Sequence, residues 1–102
     1  MESDIVRTIC DYLELKRHFF WRNNNIPVYD TKREAYRAMP KYTPKGLPDI
    51  ILIKDGRFVG IEVKNAKGKL SPHQEVFSAR CKQYGALYHV VRSLDDVIKL
   101  GL

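Results

Sequence analysis

Two short strings carry the residues able to do chemistry: Pro48-Asp49 and Glu62-Val63-Lys64. Two carboxylates and an amine are hard ligands plus a fixed positive charge, provided the chain brings them together. The residues between them say how it does so. Asp49 to Lys54 and Arg57 to Lys64 are largely apolar runs joined by Asp55-Gly56, a strong signal for a two-residue hairpin turn. Such a turn sets Lys54 opposite Arg57. Stepping outward along both strands then sets Asp49 opposite Glu62, with β-carbons about 4.5–5.5 Å apart on one face. Lys64 lies two residues beyond Glu62 and projects from that same face. Like charges directly opposite each other destabilise a sheet, and a divalent cation between them removes the repulsion. Without the cation, one carboxylate should hold its proton to a raised pKa. A plainer reading stands beside this one. Asp49 caps a strand entry, Glu62 faces solvent on an edge, and Lys64 is its surface ion-pair partner. A bulge would also turn Asp49 to the other face.

Two further polar residues read two ways. Glu2 falls nearly in line with Ile9 on the apolar stripe of a first helix, as a dipole-stabilised helix start or as a ligand. In Ser71-Pro72-His73-Gln74, Gln74 either simply completes a capping box or has a role beyond the cap.

The elements that must position these groups follow from periodicity and breakers. Residues 2–17 read as an amphipathic helix with Ile5, Ile9 and Leu13 on one stripe, flanked by Val6 and Tyr12. Residues 19–22 (Phe-Phe-Trp-Arg) are strand-like. Thr31 and Glu34 have capping-box spacing, which predicts a short helix from Lys32 to about Met39, ended by Pro40. It belongs to an insertion over 26–45, and residues 40–48 form a basic loop. The hairpin strands come next. A helix capped by Ser71 then runs toward Gly85, followed by a strand at Leu87 to Val91 and a last short helix from Leu94, capped by Ser93. Ile50 to Ile53 is apolar on both faces, as a central strand covered by helices on each side would be. The fold class is α/β with a mixed sheet, in one domain over 1–102.

Bulk properties narrow the partners. The 102 residues carry 18 Lys and Arg against 12 Asp and Glu, a net charge of +6, which points toward a polyanion. Lys32, Arg33, Arg37, Lys41 and Lys45 crowd one segment, and Lys64, Lys67 and Lys69 another. Tyr29, Tyr36 and Tyr42 interleave the first group and either stack on exposed bases or pack within the insertion. No run approaches a membrane span, and the opening Met1-Glu2-Ser3-Asp4 lacks the features of a signal peptide, so an intracellular protein is expected. Cys10 and Cys81 have no CxxC partner and read as buried helical thiols. His18, His73 and His89 have no ligand spacing.

These residues together resemble the PD-(D/E)xK nuclease superfamily and, more narrowly, the VRR-NUC (virus-type replication-repair nuclease) domain. The resemblance is carried by Glu2 ahead of Ile5, Ile9 and Leu13; Trp21-Arg22-Asn23; Gly46-x-Pro48-Asp49; Glu62-Val63-Lys64; Leu70-Ser71 with Gln74; and Gly85-Ala86 before Tyr88-His89-Val90-Val91. It implies a restriction-endonuclease-like αβββαβ core and Mg²⁺- or Mn²⁺-dependent cleavage of DNA phosphodiesters. It implies Asp49, Glu62 and the Val63 carbonyl as metal ligands, with Glu2 supporting the metal or its water. It gives Lys64 the role of orienting the attacking water and Gln74 that of a polar residue from the following helix. Small members resemble Holliday junction resolvases acting in DNA repair as homodimers, in phage-like or bacterial settings, so branched DNA is the implied substrate. Arg22, Lys32, Arg33, Arg37, Lys41, Lys45, Lys67 and Lys69 are the expected contacts to its phosphates, since phosphate contacts position a duplex without reading sequence. A nicking or flap nuclease, a non-catalytic DNA-binding module of this fold, or a protein-interaction domain are the alternatives.

Overall fold

A computed structural model describes residues 2–23, 29–36 and 41–102. Its order is α1 (Glu2–Leu15), β1 (Phe19–Arg22), β2 (Tyr29–Asp30), β3 (Ala35–Tyr36), β4 (Ile50–Lys54), β5 (Arg57–Val63), α2 (Pro72–Gln83), β6 (Leu87–Val91) and α3 (Leu94–Lys99). Four strands form a mixed sheet in the order β1-β4-β5-β6. The first two pairings are antiparallel and β5–β6 is parallel. The α/β class with a mixed sheet is as expected.

The central hairpin adopts the predicted register. Asp55 and Gly56 both have positive φ, 53° and 77°, the turn whose twist matches that of the strands it joins. Lys54 pairs with Arg57 and Ile50 with Ile61 without a bulge. Alternation then sorts the side chains. Ile50, Leu52, Val59, Ile61, Val63 and Val91 are buried with Val6, Ile9 and Leu13 of α1 and Val97 of α3. Each such side chain contributes about 1.5–3 kcal/mol on leaving water. α1 ends at Leu15, two residues early, because Arg17 turns to φ 62°. Its buried stripe is Val6, Ile9 and Leu13, with Ile5 only partly covered. Tyr12 spans to the chain end, its hydroxyl donating to the Leu102 carbonyl at 2.7 Å.

The opposite face of the sheet lies under α2. Phe58 of β5, Phe77 of α2 and Tyr88 of β6 form a tilted aromatic row with centroids 6.3 and 5.9 Å apart. The start of α2 is the predicted capping box. The Ser71 hydroxyl accepts from Gln74 N–H at 3.2 Å, and the Gln74 side chain accepts from Ser71 N–H at 2.9 Å. Its end is fixed by Gly85 at φ 80°, with Ala86 N–H donating back to the Cys81 carbonyl at 2.8 Å. Cys10 and Cys81 are free thiols, Cys81 buried. Among the described residues no helix is long and apolar enough to cross a membrane.

One expected element is absent. Over 32–36 there is no helix. β2 and β3 form a two-stranded ribbon instead, pairing Tyr29 with Tyr36. Asp30, not Thr31, takes the turn: its Oδ1 accepts from the N–H groups of Lys32 and Arg33 at 3.0 and 3.4 Å. Such a local bond competes with helix formation. Glu34 at φ 52° completes the reversal, and the Tyr29 and Tyr36 rings meet edge-on at 5.2 Å. Those two tyrosines pack on each other within the insertion. Arg37 and the rest of the expected helix to Met39 and Pro40 lie outside the described residues.

The loop before β4 is pinned to α2 by one glycine. Gly46 has φ 80°, and a β-carbon there would fall 2.4 Å from the His73 carbonyl oxygen. Both the left-handed backbone and the backbone contact forbid a side chain. Gly46→Ala should cost at least about 2 kcal/mol in urea unfolding, more than the left-handed term alone. Unchanged stability would show that this contact is not maintained in solution.

Candidate active site

The site forms where the apolar strands end. Asp49 directly precedes β4, and the neighbouring strand holds its backbone. Asn23 N–H donates to the Asp49 carbonyl at 2.8 Å, and the Asn23 amide reaches the Pro48 carbonyl at 3.4 Å. Pro48 is buried against Gly60, where a β-carbon would come within 2.9 Å of the proline ring. Proline therefore needs glycine across the strand. Asp49 Oδ2 then accepts from Val63 N–H at 2.8 Å, so a carboxylate replaces a carbonyl at the end of the ladder.

Glu62, one step past the Ile50–Ile61 pair, is the only buried charged residue among those described, at 3% exposure. This excludes the exposed-edge reading. Its Oε2 accepts from the Gln74 side-chain amide at 3.0 Å and lies 3.5 Å from Lys64 Nζ. Its Oε1 is buried with no hydrogen-bond partner among the described residues. Burial first, and the Asp49 charge second, push the Glu62 carboxyl up to about 7, while Lys64 pulls the other way. A raised carboxylate is what the opposed pair predicts.

Gln74 caps α2 and contacts Glu62 as well. One end of its amide closes the capping box and the other donates to Glu62, so the start of α2 and the carboxylate are positioned by one group. Lys64 is held just as tightly. Its backbone N–H donates to Val91 at 3.0 Å, and its stem lies against Gly68, where a β-carbon would stand 3.2 Å away. The turn carrying Gly68 is clamped by the Arg92 guanidinium, which donates to the carbonyls of Asn65 and Gly68.

Asp49, Glu62, Val63 and Lys64 line an open cavity of about 330 Å³ that also takes in Glu2, Ser3, Val6 and Arg22. Glu2 and Arg22 are exposed there. No cluster of three His, Cys, Asp or Glu side chains forms among the described residues, so Glu2 shares the cavity without closing on the pair. Of the other expected phosphate contacts, Lys32, Arg33, Lys41, Lys45, Lys67 and Lys69 are exposed and none lines the cavity. Arg33 sits 3.9 Å from Asp30. His18, His73 and His89 also stay outside it.

Asn23, Gly60 and Arg92 had no assigned role in the sequence reading. Their contributions are bonds to the Pro48-Asp49 backbone, a missing side chain and a clamp on a turn; Asn23 stood in the Trp21-Arg22-Asn23 string without a role, and Gly60 and Arg92 leave no pattern in residue type or spacing. The donor set fits a hard divalent cation: two carboxylates face each other, and one buried oxygen has no donor to satisfy it. Val63 lines the same cavity and could add its carbonyl.

No protein-family model matches the chain, and no curated protein matches it. Solved structures do. A structure titled "VRR_NUC domain" superposes with a TM-score of 0.67 at 23% identity, covering 97% of this chain and 91% of its own. A "VRR_NUC domain protein" gives 0.68 at 18%, covering 98% and 84%. The chain therefore has the fold of VRR_NUC domains.

A raised Glu62 pKa has a definite sign for stability. The proton is bound more tightly folded than unfolded, so stability is full below about 4.5 and falls as pH rises through about 7. In EDTA the protein should lose of the order of 3 kcal/mol between pH 4.5 and pH 8 through this group. Glu62→Gln should flatten that slope and raise the melting temperature at pH 8. Equal slopes for both proteins in thermal unfolding would refute the assignment.

Proposed function

We propose that this protein is a divalent-metal-dependent endonuclease acting on DNA, with branched DNA such as four-way junctions as its substrate. The observation that carries this is the pairing of half-buried Asp49 with buried Glu62 beside Lys64, at the end of the central hairpin of a VRR_NUC-like fold. In this reading Asp49, Glu62 and the Val63 carbonyl hold Mg²⁺ or Mn²⁺, and Glu2 supports it through water. When bound, such a cation polarises a phosphoryl oxygen and lowers the pKa of water.

The chain's own residues do the rest. Lys64, held 3.5 Å from Glu62, keeps a positive charge where negative charge develops on the phosphate and orients the attacking water. Gln74 keeps Glu62 in one orientation, so the carboxylate needs no rearrangement when substrate arrives. Arg22 at the cavity edge, and the exposed Lys32, Arg33, Lys41, Lys45, Lys67 and Lys69, take flanking phosphates by charge alone. Arg37 belongs to the same basic segment in sequence. Symmetric cutting of a four-way junction needs two sites, and a two-fold homodimer of this chain supplies them.

Incubation with labelled four-way junctions, flaps and plain duplex in Mg²⁺ or Mn²⁺ tests the reading. Cutting should vanish in EDTA. Asp49→Asn and Lys64→Ala should each slow it by a factor on the order of 10² to 10³. Gln74→Ala should slow it less and also cost about 1 kcal/mol of stability through the lost cap. Cutting that persists in Asp49→Asn, or no cutting of any substrate, would sink the proposal.

A further inference from the structure

A second cavity, larger than the one that holds the carboxylates, lies elsewhere on the protein. It is a groove of about 590 Å³ on the α2 side of the sheet, lined by Tyr42, Pro44, Phe58, Phe77, Arg80 and Tyr84 among others. Its lining is mainly apolar and includes four aromatic rings, and its volume is within the range of small-ligand sites. Phe58 and Phe77 belong to the packed aromatic row, while Tyr42 and Tyr84 stand 91% and 73% exposed. Each exposed ring has a cation over it. Lys41 Nζ lies 5.1 Å from the Tyr42 centroid, and the Arg80 guanidinium lies 5.9 Å from that of Tyr84. An apolar peptide would gain nothing from these cations. A flat aromatic ring attached to an anionic backbone matches both features.

The groove is joined to the candidate active site by the loop leading into β4. Tyr42 to Pro44 line the groove at the C-terminal end of α2. Gly46 touches the N-terminal end at His73 and Gln74, and Pro48-Asp49 enters the site. The loop therefore runs back along α2, and the helix measures the separation. From Gln74, bonded to Glu62, to Arg80 and Tyr84 is about 9–15 Å at 1.5 Å per residue. A stacked strand covers that distance in about three to four nucleotides.

We infer that this groove is a second nucleic-acid subsite. It receives an unpaired nucleobase of the DNA substrate between Tyr42 and Tyr84, with Arg80 on its phosphate, about three to four nucleotides from the phosphate at Glu62. The inference deepens the nuclease reading and rests on it for that spacing. It favours substrates with unpaired nucleotides beside the cut, since a paired base cannot leave its stack without cost.

Binding without turnover tests it. The full chain carrying Asp49→Asn, in EDTA, is mixed with a flap whose unpaired strand holds 2-aminopurine at successive positions. Fluorescence should fall on binding at one position or two adjacent ones. Tyr84→Ala or Tyr42→Ala, each added to Asp49→Asn, should abolish that fall and lower the flap-over-duplex affinity ratio about tenfold. Both side chains are exposed, so melting temperatures should hold. Quenching that survives both variants, or a flap-over-duplex ratio that they leave unchanged, overturns the subsite. Sedimentation showing that Tyr84→Ala dissociates a dimer also overturns it, because the groove would then be covered by a second copy. A nuclease assay that fails while the position-specific quenching remains would remove the nuclease reading and leave the base-binding groove standing.

Discussion

The structure turns on placing two carboxylates opposite each other at the end of an apolar hairpin. The twist of the Asp55-Gly56 turn leaves β4 and β5 no other register, so Asp49 meets Glu62 wherever the hairpin forms. Burial of Glu62 then makes its ionisation unfavourable, and the neighbouring groups relieve that only in part. Val63 N–H satisfies one oxygen of Asp49. Gln74 and Lys64 converge on one oxygen of Glu62, and the other is left without a donor. A site held in this state costs stability, and its open oxygen and paired carboxylates are what a positive ion would satisfy.

The two faces of the sheet divide the work. One face gives its side chains to the core shared with α1 and α3, and this sets the rigidity of β4 and β5. The other carries the aromatic row, the carboxylates and α2. Because β-strand side chains alternate, Ile50 and Ile61 can be fully buried while the next residues on the same strands reach a cavity. Rigidity and chemistry are thus one residue apart. Supporting contacts extend the same logic outward. Gly60 makes room for Pro48, Asn23 fixes the backbone of Pro48-Asp49, and Arg92 steadies the turn behind Lys64.

The helix α2 links the site to the rest of this face. Its capping glutamine serves Glu62, its middle carries Phe77 into the aromatic row, and its last turn brings Arg80 beside Tyr84. The loop from Tyr42 to Pro48 follows it in the reverse direction, with Gly46 at the closest approach. One straight element therefore relates the carboxylate cavity and the aromatic groove at a set distance.

Much of this was legible in residue types and spacing, because local rules decide it. A two-residue turn with two positive φ angles determines a register, and a Ser-Pro-x-Gln string determines a helix start. From these the opposition of Asp49 and Glu62 and the common face of Lys64 follow, and with the apolar periodicity the mixed α/β class; the repulsion by Asp49 was legible too, but burial, the larger cause of the raised Glu62 pKa, was not. The insertion was not legible. Thr31 and Glu34 have the spacing of a capping box, but Asp30 takes the N–H groups of Lys32 and Arg33, and Tyr29 meets Tyr36 across a ribbon. Tertiary packing alone decided that Glu62 is buried and not on an open edge, and that Gln74 caps and contacts at once. It also decided that Glu2 and Arg22 share the cavity with the carboxylates while Lys32, Lys41, Lys45, Lys67 and Lys69 do not line it. The reason is physical: burial and side-chain reach depend on which helix covers a strand end, and that is set by contacts between residues far apart in the chain.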